Sequence, residues 1–269
     1  MEIIRTMLCL ITAILMTYAV PAYATTWEDA TGPYSTTVVG DTGPDNMYYI
    51  YRPQTLRPGT HPIVVLCVGT GAHPKNYDVI LTQLASHGVV VIASTDPNQE
   101  DGSKASAGLN WIVGQNEISK SEYYQKLIPS RVLAIGHSSG GAGAMWASIK
   151  NSKITSLLLY APAFGSVNSS DLLVPTFLIS GSLDKTIPPH FVKARYQEAT
   201  KANAWYGENT NQGHTGFARN AATQYYTRAW VYTHLLNDSG TAKGCFYGEN
   251  WTFKNASTWS ETLKNNSAF

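Results

Sequence analysis

The chain has 269 residues, of which 43% are hydrophobic and 14% charged, and its formal net charge is +1. That length accommodates one large α/β domain or two small ones and buries a substantial core without staples. The near-neutral balance and the absence of any Lys/Arg cluster exclude the basic stripe that a nucleic-acid partner requires.

The N-terminus reads as an export signal. Arg5 supplies a positive start, diluted by Glu2, Met7 to Val20 is apolar, and Ala22-Tyr23-Ala24 is a small-x-small cleavage site. Residues 1–24 are therefore expected to be removed near Ala24, leaving residues 25–269 as a single catalytic domain, secreted or periplasmic. A membrane anchor is the alternative, disfavoured because the run falls short of the ~20 residues that span a bilayer. No later segment is long and apolar enough to span. Of the three cysteines, Cys9 leaves with the signal, and Cys67 and Cys245 remain. Cys67 lies in an apolar run and reads as a buried thiol; the sequence leaves open whether the two pair.

In chain order, Thr36–Val39 and Met47–Tyr51 read as strands joined by the turn formers of residues 41–45. Ile63–Val68, Val89–Ala93, Val132–Ile135, Ile154–Tyr160 and Thr176–Ile179 are short apolar runs, as expected of strands buried on both faces. Between them, Asn76–Ser86, Ser103–Val113, Ser139–Ile149, Phe191–Thr200 and Phe217–Leu236 are patterned as helices. The alternation predicts a mostly parallel sheet covered by helices on both faces. The tail after Asn237 reads as one more edge element plus irregular chain. There is no internal repeat.

Gly136-His137-Ser138-Ser139-Gly140 matches G-x-S-x-G directly after one strand and directly before one helix. That setting is a nucleophile elbow, and it predicts the α/β-hydrolase fold. A serine hydroxyl needs a base, and the base needs an orienting carboxylate, which follow in the order Asp then His. Asp184 lies just past the strand Thr176–Ile179. Its rival, Asp171, precedes that strand and belongs at the opposite edge of the sheet. Among seven histidines, His214 sits in a glycine-flanked loop at a useful distance after Asp184. His190 is too near the acid's loop and His234 falls inside a helix. The oxyanion donors are expected to be the amides of Ser139 and of Thr70, in the loop Gly69-Thr70-Gly71. No metal site is apparent, because histidines and cysteines are scattered, and no phosphate loop follows Gly69.

Taken together, these landmarks resemble the bacterial cutinase and polyester-hydrolase family, which is similar to dienelactone hydrolases and includes enzymes acting on poly(ethylene terephthalate) (PET). The resemblance runs from about Tyr34 to the tail. It rests on Leu84-Ala85-Ser86-His87-Gly88-Val89-Val90-Val91-Ile92, the elbow at Ser138, Ala161-Pro162, Val174-Pro175-Thr176 with its spacing to Asp184, and the Gly-His loop at His214. It implies hydrolysis of carboxylic esters through an acyl-enzyme, with no cofactor. The chain departs from the family pattern at several places. Thr70 stands where an aromatic residue usually walls the cleft, Ser139 where methionine is common, and Ala163-Phe164 where tryptophan follows Ala-Pro. The segment after Asp184 is one residue longer, at Lys185, and Cys245 lacks the partner of a terminal disulfide. Dienelactone hydrolases normally use cysteine, so Ser138 disfavours that subgroup.

The short loops after the strands leave no room for a lid, so the site is expected to be a shallow, exposed cleft. His73, Tyr77, Phe164 and Ile187 are candidate cleft residues, with Trp111 and Tyr160 as further aromatics. The expectation is thus a monomeric secreted serine esterase of the cutinase or PET-hydrolase type, with an ester substrate that extends to polymers. A lipase or short-chain acyl esterase of the same fold, and a non-catalytic secreted binding protein, are the alternatives.

Overall fold

The computed structural model describes residues 26–265 apart from Ser239; the expected export segment lies outside the described residues. The strands β1 (Thr36–Thr42), β2 (Tyr48–Pro53), β3 (His61–Cys67), β4 (Val90–Ser94), β5 (Leu127–His137), β6 (Ser156–Tyr160), β7 (Thr176–Gly181), β8 (Ala204–Asn209) and β9 (Trp259–Lys264) form one sheet in the order β1-β2-β4-β3-β5-β6-β7-β8-β9. From β4 to β8 every pairing is parallel, while β1, β2 and β9 run antiparallel to their neighbours. The helices are α1 (Asp78–Ser86), α2 (Ser103–Gln115), α3 (Ser139–Lys150), α4 (Pro189–Glu198), α5 (Ala221–His234) and the short α6 (Thr241–Gly244).

The parallel strands are continuous apolar runs because each face of the sheet has its own core. Val64, Leu66 and Val68 point into a cluster with α1 and α5, while Ile63, Val65 and Cys67 alternate into the cluster under α2 and α3. Each such fully buried aliphatic side chain contributes about 1.5–3 kcal/mol. Phe177, on the α5 face, packs on Trp230, Phe246 and Phe253 with ring centroids 5.5, 5.2 and 5.2 Å apart. This aromatic cluster, together with the pairing of β9 on β8, ties the C-terminal tail to the sheet.

Several boundaries differ from the sequence reading. β8, Ala-Trp-Tyr-Gly-Glu-Asn, lacks β-branched residues, so its strand character comes from pairing with β7 and β9. The helical run expected from Phe217 begins instead with a 3-10 turn at Phe217–Arg219. α5 starts only after Asn220, whose side chain accepts from the Thr223 amide and so caps it. The 3-10 turn Pro74–Tyr77 likewise delays α1. The edge element of the tail is β9. Cys67 and Cys245 are both free and buried, and they belong to opposite faces of the sheet, which is why they do not pair.

Burial lowers the pKa of four histidines, His61, His137, His87 and His234, and so sets an acid limit on the fold, as the last two illustrate. His87 donates from Nε2 to the Asp29 carbonyl at 3.0 Å and accepts from the Tyr232 hydroxyl at 2.9 Å. Burial pushes it from the ordinary 6.5 down to about 4. His234 packs on Trp230 with centroids 4.1 Å apart, and burial pushes it down to about 3. Both are neutral in the folded protein, whereas in the unfolded chain they take up protons near 6.5. Below that pH the unfolded state binds more protons, so stability falls as pH drops. Urea midpoints are expected to be insensitive to these groups above pH about 6.5 and to decline steadily from there to about 4.5. A midpoint flat across that lower range contradicts the assignment.

Candidate active site

The C-terminal ends of β3, β5, β7 and β8 lie along one edge of the sheet and present four loops there. Ser138 stands between β5 and α3 at φ 55°, ψ −125°, a left-handed value that strains a non-glycine residue by roughly 1–3 kcal/mol. Its amide donates to the Tyr160 carbonyl at 3.0 Å, and its carbonyl accepts from the Gly141 and Ala163 amides at 2.8 Å each. The glycines of the motif are needed for close approach. A Cβ on Gly136 would stand 2.4 Å from the Gly140 carbonyl oxygen, and one on Gly140 would stand 2.3 Å from the carbonyl oxygens of both Cys67 and Val68. Only bare backbone lets α3 start so tightly against β3 and β5.

His214 lies in the loop after β8 and Asp184 in the loop after β7. The two loops are stitched together: the Leu183 amide donates to the Gln212 carbonyl at 2.9 Å, and the Gln212 side chain donates to the carbonyls of Gly213 and Thr215 at 2.8 and 2.6 Å. The buried Asp184 carboxylate is fully engaged. Oδ1 accepts from the Thr186 and Ile187 amides at 2.8 Å each, and Oδ2 accepts from His214 Nδ1 at 2.8 Å. Because Nδ1 keeps its proton and donates it in a hydrogen bond to Asp184, Nε2 is left as the acceptor facing Ser138 Oγ, 3.0 Å away. The arrangement can withdraw the serine proton and stabilise the imidazolium that results. Asp171, by contrast, sits in a 3-10 turn before β7, where it pairs with Lys201 at 3.8 Å.

Thr70 and Ser139 face each other across the same point. The Thr70 hydroxyl donates to Ser139 Oγ at 2.8 Å, tying the loop after β3 to the first residue of α3, where helix amides have no intrahelical acceptor. Beside them opens a cavity of about 470 Å³ lined by Thr70, Tyr77, His137, Ser138, His214 and Phe217, among others, with Arg219 at its rim. Phe217 stacks on Tyr160, centroids 5.7 Å apart and planes within 13°.

Of the expected cleft residues, only Tyr77 lines this cavity. His73 instead accepts the Lys75 amide at 3.1 Å and packs edge-on against Tyr49, because it caps the turn before α1. Ile187 is held by its amide to Asp184 and packs between core side chains. Phe164 is 52% exposed and lies against Phe191 and over the guanidinium of Arg195. Arg195, itself buried, donates to the Ala163 and Val167 carbonyls at 2.7 and 3.1 Å and so fixes the path of that loop. Trp111 pairs with Tyr123 on the α2 face, and Tyr160 is fully buried.

Three contributors escape the sequence reading: Phe217, Gln212 and His137. His137 carried a signal, since it occupies the first variable position of the motif itself. It is buried, and burial pushes it down to about 4. Its Nδ1 lies 2.8 Å from the Tyr77 hydroxyl and its Nε2 2.8 Å from the His214 carbonyl oxygen. Among the described residues, no cluster of three or more His, Cys, Asp or Glu is arranged to hold a metal ion, and no helix is long and apolar enough to cross a membrane.

Comparison with known proteins places these features in context. A family profile described as PET hydrolase-like matches residues 20–262. Cutinase 2 of Thermobifida cellulosilytica is 27% identical over 166 residues, covering 58% of this chain and 62% of the relative. Cutinase cut1 of Thermobifida fusca is also 27% identical over 166 residues, covering 58% of this chain and 51% of the relative. The matched stretch thus spans between half and two thirds of these relatives.

Gly140→Ala is the sharpest local test of the elbow. Its methyl meets two carbonyl oxygens that cannot retreat without moving β3, so a loss of roughly 1–3 kcal/mol or more is expected in chemical denaturation. Gly114→Ala, where nothing lies within 4 Å, is the matched control and is expected to retain wild-type stability or gain.

Proposed function

The chain belongs to the PET hydrolase-like family, and from that premise we propose that it is a secreted serine carboxylic-ester hydrolase acting through an acyl-enzyme. The observation that carries this reading is the hydrogen-bonded series Ser138, His214, Asp184, with contacts of 3.0 and 2.8 Å, on a strained elbow at the mouth of a cavity. In the proposed mechanism Ser138 Oγ attacks the ester carbonyl while His214 Nε2 takes its proton. Asp184 holds the imidazole and stabilises its charged form. The amides of Thr70 and Ser139 receive the oxyanion, and the alcohol leaves with the proton from His214. Water then repeats the cycle on the acyl-enzyme.

The substrate is proposed to be an ester that extends to polyesters, PET included. Ser138, Thr70 and the Thr215-Gly216 stretch are all at least partly exposed, which favours a chain passing over the surface. The wall missing at Thr70 is supplied from the other side by Tyr77, His137 and Phe217. A second reading, a short-chain esterase, is favoured by the modest size of the cavity beside Ser138, about 470 Å³. Export through residues 1–24, a single domain and a monomeric state complete the proposal.

The test is hydrolysis of nitrophenyl butyrate, tributyrin, an aliphatic polyester film and an aromatic polyester film, with Ser138→Ala as control. Ser138→Ala is expected to lower kcat/KM by roughly 10⁴-fold or more, and an organophosphonate to label the wild type at Ser138 alone. Serine-dependent release from either film supports polyester hydrolysis, and release confined to the soluble esters supports the second reading. Residual turnover near wild type in Ser138→Ala overturns both.

A further inference from the structure

A hydrogen-bonded series behind Ser138 links three of the four loops of the site, those after β3, β5 and β8. The Gly69 amide donates to Tyr77 Oη at 3.2 Å, Tyr77 Oη lies 2.8 Å from His137 Nδ1, and His137 Nε2 lies 2.8 Å from the His214 carbonyl oxygen. The direction of every bond follows from its ends. A carbonyl oxygen only accepts, so His137 Nε2 carries the proton. The neutral ring then has a bare Nδ1, which accepts from the Tyr77 hydroxyl, and a lone pair of that hydroxyl oxygen accepts from the Gly69 amide. Both side chains are buried, and burial keeps each in the uncharged form that this pattern needs.

The covalent neighbours of this series give it a consequence. Gly69 precedes Thr70, His137 precedes Ser138, and His214 supplies both the last acceptor and the imidazole that faces Ser138 Oγ. Besides its bonds to the Asp184 loop, the loop of the base is therefore held by its ring to Ser138 and by its backbone to His137, while the same series holds the loop that carries Thr70. Gly69 packs closely enough that a Cβ there would stand 3.2 Å from both His137 Nδ1 and Ser138 Cβ. Displacements of about 1 Å at reacting groups can lower rates by about 10²-fold, so a brace of this kind matters to chemistry more than to folding.

We propose that Tyr77 and His137 are positioning residues that set the His214 base loop and the Thr70 oxyanion loop in register with Ser138. The proposal rests on the esterase reading for its kinetic consequence, while the bonding pattern itself can be tested without substrate.

The experiment has two arms. In the first, ¹⁵N NMR of the histidine ring nitrogens is recorded on wild type and Tyr77→Phe. His137 is expected as the Nε2–H tautomer in both proteins, fixed by the His214 carbonyl, with the resonance of its bare Nδ1 moving downfield in Tyr77→Phe once the hydroxyl no longer donates to it. An Nδ1–H tautomer in wild type, or an unchanged ring in Tyr77→Phe, overturns the proposal whether or not the protein hydrolyses esters. In the second arm, Tyr77→Phe keeps the ring and its packing and is expected to lower kcat on nitrophenyl butyrate by roughly 10- to 100-fold with KM within about twofold. His137→Gln, which retains a donor for the His214 carbonyl, is expected to keep more of kcat than His137→Phe. An unchanged kcat in Tyr77→Phe, or equal losses in the two His137 variants, overturns the proposal. An inert wild type with the expected tautomer instead counts against the esterase reading alone.

Discussion

Three stretches of backbone meet at Ser138 with no side chain between them, and the rest of the site is arranged around that approach. β5 ends, α3 begins, and the carbonyls at the end of β3 pass within reach of the first turn of the helix, because Gly136 and Gly140 carry no Cβ. The strained φ of Ser138 is tolerated because its amide and carbonyl are both bonded, to the ends of β6 and α3 and to the loop beyond β6. Relaxing Ser138 breaks those bonds, so the strain is held in place by secondary structure that is stable for other reasons. The hydroxyl therefore projects from the sheet edge without needing a ligand to put it there.

The loops that meet it differ in how they are held. The Asp184 loop is fixed by its own carboxylate, which gathers two backbone amides and the imidazole. The His214 loop carries Gly213 and Gly216, so its order comes from added bonds: its own Gln212 side chain within the loop, and the neighbouring Asp184 loop and His137 from outside. The rim loop beyond β6 is gripped by the Arg195 guanidinium, which donates to the Val167 and Ala163 carbonyl oxygens. Polar bonds to backbone, more than apolar packing, thus decide where the reacting groups stand. The two apolar cores decide that the sheet beneath them does not move.

What the sequence revealed follows from how local each signal is. β3 and β4 were legible because a strand buried on both faces must be apolar throughout, and Ser138 because its elbow needs glycines at fixed offsets. Asp184 and His214 were legible from chain order and from their places after strands. β8 was not, since Gly207 and Glu208 interrupt its pattern and its strand character depends on two neighbours. The Tyr77–His137 bond joins residues 60 positions apart, and nothing local to either announces it. The cleft was the least legible part. Phe164 and Ile187 occupy chain positions that resemble a cleft wall, but Arg195, distant in sequence, sets where the loop of Phe164 runs, and Asp184 draws Ile187 inward.

The placement of the two described cysteines on opposite faces of the sheet bears on how the molecule relates to its surroundings. A thiol sealed in an apolar core is a poor nucleophile, and burial raises Cys67 to about 12, far from the thiolate that exchange requires. Among the described residues no disulfide contributes to cohesion, so the fold they form does not depend on the redox poise of its surroundings.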